Sequence, residues 1–217
     1  PESLAILVAD NDAEGAAGAA LVRARAAQAP HPLRALVVPE RGLAAVRNAI
    51  LTEFLASGAD WLAMVDDDQT VDPAFLAEAL AMARATGAGA VGCAVPPVFA
   101  PGASPRVTRA AIYRRDVTTS GRVPRLYGTN GVLLSRAAVL TLDPPWFRAE
   151  FNRSGGEDAD FFRRLARAGV IAARAPRAIV HEHYPAERLT AAWVLRRALR
   201  IGNSDARADL LERDGIV

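Results

Sequence analysis

Lysine is absent: all 26 basic residues of this 217-residue chain are arginine. That absence excludes Schiff-base catalysis and P-loop phosphate binding, both of which need a lysine amine. Cysteine is nearly absent as well. The single Cys93 lies in the apolar stretch Ala90-Val91-Gly92-Cys93-Ala94-Val95, so no intrachain disulfide can form and a buried small hydrophobe is expected there. No apolar run reaches the ~18 residues of a membrane span and no leader-like segment opens the chain, which together point to a cytoplasmic protein. A formal charge of +2, with arginines scattered along most of the chain, offers no nucleic-acid-binding face, and no nucleic-acid partner is expected. What is abundant is apolar: 51% hydrophobic against 23% charged residues supports a substantial core and one globular domain, 1–217. The arginine and alanine excess is what a GC-rich bacterial coding bias produces.

The first ninety-five residues alternate regularly. Leu4 to Ala9 reads as a buried strand ending in Asp10-Asn11-Asp12, Ala16 to Ala29 as a helix closed by Pro30, and Leu36 to Val38 as a second strand. A helix over Gly42 to Ala56 is expected to bury Leu43, Val46, Ile50 and Phe54, spaced three and four apart. Strand Trp61 to Val65, helix Pro73 to Ala85 and strand Gly89 to Val95 follow. Such alternation predicts an α/β fold with a mainly parallel sheet flanked by helices. The pattern then breaks at the proline-rich Pro96 to Pro105. Val107 to Arg114 and Arg125 to Leu134 read as strands of a small antiparallel extension, Asp143 to Phe147 as a rigid aromatic loop, Glu157 to Ala168 as a helix, Ala178 to His183 as extended, and Leu189 to Ile201 as a basic helix.

Two acidic motifs carry chemistry. Asp66-Asp67-Asp68 ends the apolar strand Trp61 to Val65, where three carboxylates repel one another unless something cationic sits with them. Mg²⁺ or Mn²⁺ carrying a diphosphate suits hard oxygen ligands at such a place. The alternative is an acidic helix-start turn, with Asp72-Pro73 as cap and first-turn proline. About ninety residues on, Gly155-Gly156-Glu157-Asp158 sets carboxylates at the head of a helix. In an open α/β sheet, ligands sit beyond the carboxyl ends of the strands, where Asp10 and Asp66 to Asp68 fall.

The succession Val8-Ala9-Asp10-Asn11-Asp12, Glu40 to Asn48, Met64-Val65-Asp66-Asp67-Asp68 and Gly156-Glu157-Asp158 resembles the family-2 nucleotide-sugar glycosyltransferases of the GT-A (Rossmann-like) fold. The tail, Val180-His181-Glu182, Pro185 to Arg188 and Arg196 to Asn203, is similar to the exopolysaccharide glucosyltransferases typified by succinoglycan synthesis. Members usually begin with a strand and helix carrying a Pro-Thr-Tyr-like sequence, and this chain opens at what matches the second strand. The resemblance therefore implies a few dozen further residues upstream, a nucleotide-binding half over 1–95 and an acceptor-binding, catalytic half over 96–217.

It also implies residue roles. Asp66 and Asp68 form the Asp-x-Asp motif, Asp66 toward ribose or metal and Asp68 as the firmer metal ligand. Asp67 joins the donor-binding set, although strand alternation would turn it to the other face, a structural position. Asp10 matches an acidic residue that contacts base or ribose, or is a turn-forming aspartate; Arg47 offers a guanidinium to the nucleotide or diphosphate, or is a solvated helix arginine. Asp158, with Glu157 beside it, is the implied catalytic pair, Asp158 being the base that takes the acceptor proton in an inverting transfer. His181 or His183 offers a third metal ligand, unless each is simply a satisfied histidine. Gly128 and Tyr127 lie in a loop near donor sugar and acceptor. Trp146 is a stacking face for an acceptor or a packed anchor.

The implied partners are a nucleotide-sugar donor, a UDP-sugar such as UDP-glucose, and a saccharide or polyprenyl-diphosphate-linked acceptor for surface polysaccharide synthesis. Arg196 and Arg197 on the C-terminal basic helix would meet the acceptor or the inner face of the plasma membrane. Competing readings are a sugar nucleotidyltransferase and a non-catalytic nucleotide-sugar-binding domain. A haloacid-dehalogenase-type phosphatase, which Asp66-x-Asp68 also imitates, needs a downstream lysine that this chain lacks.

Overall fold

The computed structural model describes residues 3–12, 14–113, 117–151 and 155–213, apart from the side chains of 204, 205 and 207–213. They form two compact units, Pro1–Gly58 with Pro144–Arg153, and Ala59–Asp143 with Ser154–Val217.

The first unit contains β1 (Ile6–Asp10), α1 (Ala17–Ala26), β2 (Leu33–Val37) and α2 (Leu43–Ser57). β1 and β2 run parallel from Ile6↔Leu33 to Asp10↔Val37, as a strand–helix–strand crossover requires. α2 buries Ala44, Arg47, Leu51 and Phe54, whereas Leu43 is 57% exposed. The inward stripe is thus shifted from the expected one. An arginine occupies a core position: the Arg47 guanidinium lies 5.6 Å from the centre of the Phe147 ring, and a charged residue in the stripe conceals it from an apolar periodicity. The segment that contains Phe147 includes a cis Pro144–Pro145 bond and is clamped by Asn48, whose side chain donates to the Phe147 carbonyl at 2.7 Å and accepts from its amide at 2.9 Å.

The second unit contains β3 (Trp61–Met64), β4 (Gln69–Val71), α3 (Phe75–Thr86), β5 (Ala90–Ala94), β6 (Pro97–Phe99), α4 (Pro105–Thr108), β7 (Gly121–Val123), β8 (Val132–Ser135), α5 (Arg136–Val139), α6 (Glu157–Arg167), β9 (Ala172–Tyr184) and α7 (Ala191–Arg213). Its sheet has the order β3-β8-β5-β9-β4, with β6 and β7 also paired to β9. β3, β5 and β9 share one direction and β8 runs antiparallel between β3 and β5. All of β5 is buried, and so are Val132 to Leu134 of β8, the all-apolar signature of interior strands.

β9 changes partners midway. Its first half pairs with β5 and β7, the register shifts between Cys93 and Ala94, and Ile179 to Tyr184 continues beside β4 and β6. Pro176 accounts for the interruption, because a proline has no N–H for the ladder. α3 packs Phe75, Ala79 and Ala83 on Val91, Cys93, Ala173, Ala175 and Val180, the alanines allowing close approach of helix to sheet. Burial pushes the Cys93 thiol up to about 12, as expected of a hydrophobe-like cysteine.

Two expected strands are corrected. Val107 and Thr108 end α4, and Ala111–Tyr113 is a 3-10 turn; Arg114 lies outside the described residues. Within Arg125 to Leu134 only the end is strand, and β8 is an interior member of the sheet instead of an extension. Among the described residues, no helix is long and apolar enough to cross a membrane.

Candidate functional site

Because β8 is antiparallel to β3 and β5, the loop that enters β8 lies at the edge where those two strands end. Gly131 closes this junction: its amide donates to the Met64 carbonyl at 3.1 Å and its carbonyl accepts from the Cys93 amide at 2.8 Å. It holds φ at 73°, and a Cβ there would come within 3.1 Å of Val95 and 3.3 Å of Val180, so the position demands glycine twice over. The Asp66 turn, the Tyr127 to Gly131 loop and the end of β5 therefore share one sheet edge.

Asp66 to Gln69 is a turn closed in both directions. The Gln69 amide donates to the Asp66 carbonyl at 3.2 Å, and the Asp66 amide donates to Gln69 Oε1 at 2.8 Å. β3 has already ended at Met64, so the strand alternation expected to turn Asp67 away does not apply; Asp66 and Asp67 are both exposed and Asp68 half-buried. The Asp68 carbonyl accepts from the His183 amide at 2.9 Å, which ties the turn to β9. Arg188 Nη1 donates to Asp68 Oδ2 at 2.5 Å. That hydrogen bond, then the charges of Asp68, Glu182 and Asp67, raise the Arg188 pKa above its ordinary value against the opposing effect of burial.

Asp158 stands at the start of α6. Gly155 and Gly156 hold φ at 74° and 100°, left-handed values that turn the chain into the helix. The Asp158 carboxylate accepts from the Thr129 amide at 3.4 Å and from its hydroxyl at 3.3 and 3.4 Å, and Thr129 is only 1% exposed. A Cβ on Gly128 would lie 2.8 Å from Asn130 Oδ1, so glycine lets the Asn130 side chain close over this position, with Asp158 Oδ2 4.0 Å away. Glu157, beside it, is 5% exposed, which leaves Asp158 as the accessible member of the pair.

The histidines have partners across the sheet. His181 Nε2 lies 2.9 Å from Asp72 Oδ1 and His183 Nε2 lies 3.0 Å from the Thr70 hydroxyl. Asp72 thus serves a histidine and does not cap α3, which starts at Phe75 with no side-chain cap. In each ring Nε2 is the engaged nitrogen, so a metal could be met through Nδ1 with the present partner kept. Among the described residues, no three His, Cys, Asp or Glu side chains are gathered to enclose an ion. An ion held by one or two carboxylates plus phosphates and water needs no such cage, and Asp66 and Asp68, two carboxylates on one turn with Asp68 paired to Arg188, have the donor chemistry for it.

Asp10, Arg47 and Trp146 belong to the first unit. The Asp10 carboxylate accepts from the amides of Asp12 at 2.9 Å and Ala19 at 2.7 Å, bonds that lower its pKa and fasten the end of β1 to α1. Arg47 is 9% exposed over Phe147, and Trp146 at 7% is a packed anchor. In the second unit Tyr127 is 59% exposed beneath the Arg125 guanidinium, 4.9 Å from its ring centre. α7 packs Trp193 and Val194 with Leu189 in an aromatic cluster around Tyr113 and Tyr184, and leaves Arg196 exposed and Arg197 half-buried.

Three residues were not singled out by sequence reasoning: Thr129, Gln69 and Arg188. Thr129 and Arg188 lay inside matched segments, but only the fold shows which carboxylates they meet.

Comparison with known proteins agrees with this architecture. Residues 1–203 match the model described as glycosyltransferase like family 2. The chain belongs to that family. It is 36% identical over 206 residues to the succinoglycan biosynthesis protein ExoM of Rhizobium meliloti (strain 1021), an alignment covering 94% of this chain and 64% of that protein. This family member thus spans less than two thirds of that curated relative. Crystal structures of S. aureus TarS 1-349 superpose with TM-scores of 0.60 for its complex with UDP and 0.59 for its complex with UDP-GlcNAc. Each is 13% identical; 83% of this chain is covered in both, against 51% and 49% of TarS. At that identity the likeness is one of fold, and the fold is GT-A.

Proposed function

We propose that this chain carries the donor site and catalytic base of a metal-dependent inverting glycosyltransferase that moves a sugar from a UDP-sugar to a saccharide or polyprenyl-diphosphate-linked acceptor in surface polysaccharide synthesis. The observation that carries the reading is the pairing, in a family-2 chain, of the Asp66–Asp68 turn with an accessible Asp158 at a helix N-terminus. The succinoglycan biosynthesis role in the relative's name and the UDP and UDP-GlcNAc bound to TarS favour this donor and product class.

Asp66 and Asp68 would hold Mg²⁺ or Mn²⁺, which when bound offsets the charge of the departing diphosphate as a Lewis acid. Asp158 takes the proton of the acceptor hydroxyl as its oxygen bonds the anomeric carbon and the bond to the diphosphate breaks. Thr129 aims that carboxylate. Asp10 shapes the loop after β1 by accepting the Asp12 and Ala19 amides, one on each oxygen, and keeps acceptor capacity for a base or ribose group.

Family membership sets this reading above a sugar nucleotidyltransferase, and the accessible Asp158 sets it above a binding domain without chemistry. A screen of UDP-, GDP- and dTDP-sugars with Mn²⁺, on the longest natural chain, is expected to select a UDP-sugar. Binding of none of them would defeat the proposal.

α7 supports an acceptor at the inner face of the plasma membrane. Arg196 and Arg200 are exposed, and so are Leu195 at 65% and Leu199 at 75%, one turn apart. Each arginine would add on the order of 1 kcal/mol at an anionic surface. Vesicle binding unaffected by replacing Arg196, Arg197 and Arg200 would remove the membrane contact and leave the transferase standing.

A further inference from the structure

The ion pair between Arg188 and Asp68 is built from both sides. Asp68 sits in a turn closed by Gln69 and tied to β9 through the His183 amide. Arg188 ends the 3-10 turn Ala186–Arg188 between β9 and α7, and its carbonyl accepts from the Tyr113 hydroxyl at 2.6 Å. Tyr113 is itself fixed, 2% exposed, by edge contact with Tyr184 at 4.8 Å and by stacking on Trp193 at 6.0 Å. Leu189, the next residue, is buried in the same cluster. The guanidinium is therefore presented to the acidic turn by an aromatic anchor, which distinguishes it from a long side chain that meets a surface carboxylate by chance.

We propose that Arg188 is an internal counter-cation that competes with the divalent metal for Asp68. The inference rests on Asp66 and Asp68 as the metal-holding carboxylates. With Arg188 in place the charge of Asp68 is offset without metal, so bare metal ion binds more weakly than the three carboxylates alone would hold it and is held firmly only together with a diphosphate. Arg188 is a positioning residue in this scheme, acting through Asp68.

The test is Mn²⁺ binding, followed by electron paramagnetic resonance, to the protein with and without UDP. The Arg188 and Asp68 side chains are 41% and 27% exposed, so solvent screens the pair. Arg188→Met should tighten Mn²⁺ binding without UDP by about tenfold, the scale of a partly screened charge-assisted bond. The gain should vanish in Arg188→Met/Asp68→Asn, and Arg188→Lys should stay near wild type. Should Arg188→Met not fold, Tyr113→Phe, which loosens only the hold on the Arg188 carbonyl, should shift affinity in the same direction by about twofold. Unchanged affinity without UDP, in a protein that binds Mn²⁺ with UDP, overturns the competition and leaves the metal reading intact. No Mn²⁺ binding by any variant under either condition overturns both.

Discussion

Replacing Gly131 with alanine tests whether the junction that carries the Thr129 loop is packed as described. Two costs add. A non-glycine residue at φ 73° is left-handed, about 1–2 kcal/mol. The new Cβ would stand 3.1 Å from Val95 and 3.3 Å from Val180, so interior side chains must yield by a few tenths of an ångström, roughly 1 kcal/mol or somewhat more. The expected loss is therefore about 2–3 kcal/mol. Gly102 supplies the control: its φ is 80°, but a Cβ there meets nothing within 4 Å, so Gly102→Ala should cost only the backbone share, about 1–2 kcal/mol. Urea unfolding with equal m-values reads both. Equal losses for the two variants would refute the close packing of the end of β5, β9 and the loop.

Other outcomes follow from the same geometry. Asp158→Asn should lower sugar transfer by about 10²- to 10⁴-fold with donor binding nearly unchanged; equal loss of donor binding would make the residue a donor ligand or structural. Asp10 has a folded-state pKa below its ordinary value, so its contribution to stability is full above about pH 4 and lost as pH falls through the lower folded value. The stability gap between wild type and Asp10→Asn should thus narrow on acidification, and a gap that widens contradicts the bonding to Asp12 and Ala19. Cys93, with its thiol pushed up to about 12, should resist alkylation at pH 8 until the protein unfolds.

The alternating first half was legible in the sequence because apolar strands and amphipathic helices announce themselves by period. β1, β3 and β5 fall within one or two residues of expectation. β8 was harder: a four-residue strand preceded by a glycine-containing loop gives no local sign that it runs antiparallel inside the sheet, since that follows from long-range pairing. α2 misled through Arg47, which takes an inward position that periodicity reserves for apolar residues. The acidic motifs were visible as strings of carboxylates, but their partners were not. Arg188 lies 120 residues from Asp68 and Thr129 lies 29 from Asp158, so only the folded chain reveals which cation pairs with Asp68 and which hydroxyl aims the Asp158 carboxylate.

The central claim is that Asp66 and Asp68 bind a nucleoside diphosphate through a divalent metal. Calorimetric titration of UDP into the longest natural chain, with Mn²⁺ and then with a chelator, tests it most directly. The account predicts that binding weakens at least tenfold when metal is removed, and that Asp68→Ala with Mn²⁺ resembles the chelated wild type. UDP affinity that is the same with and without metal, or unaffected by Asp68→Ala, would contradict it.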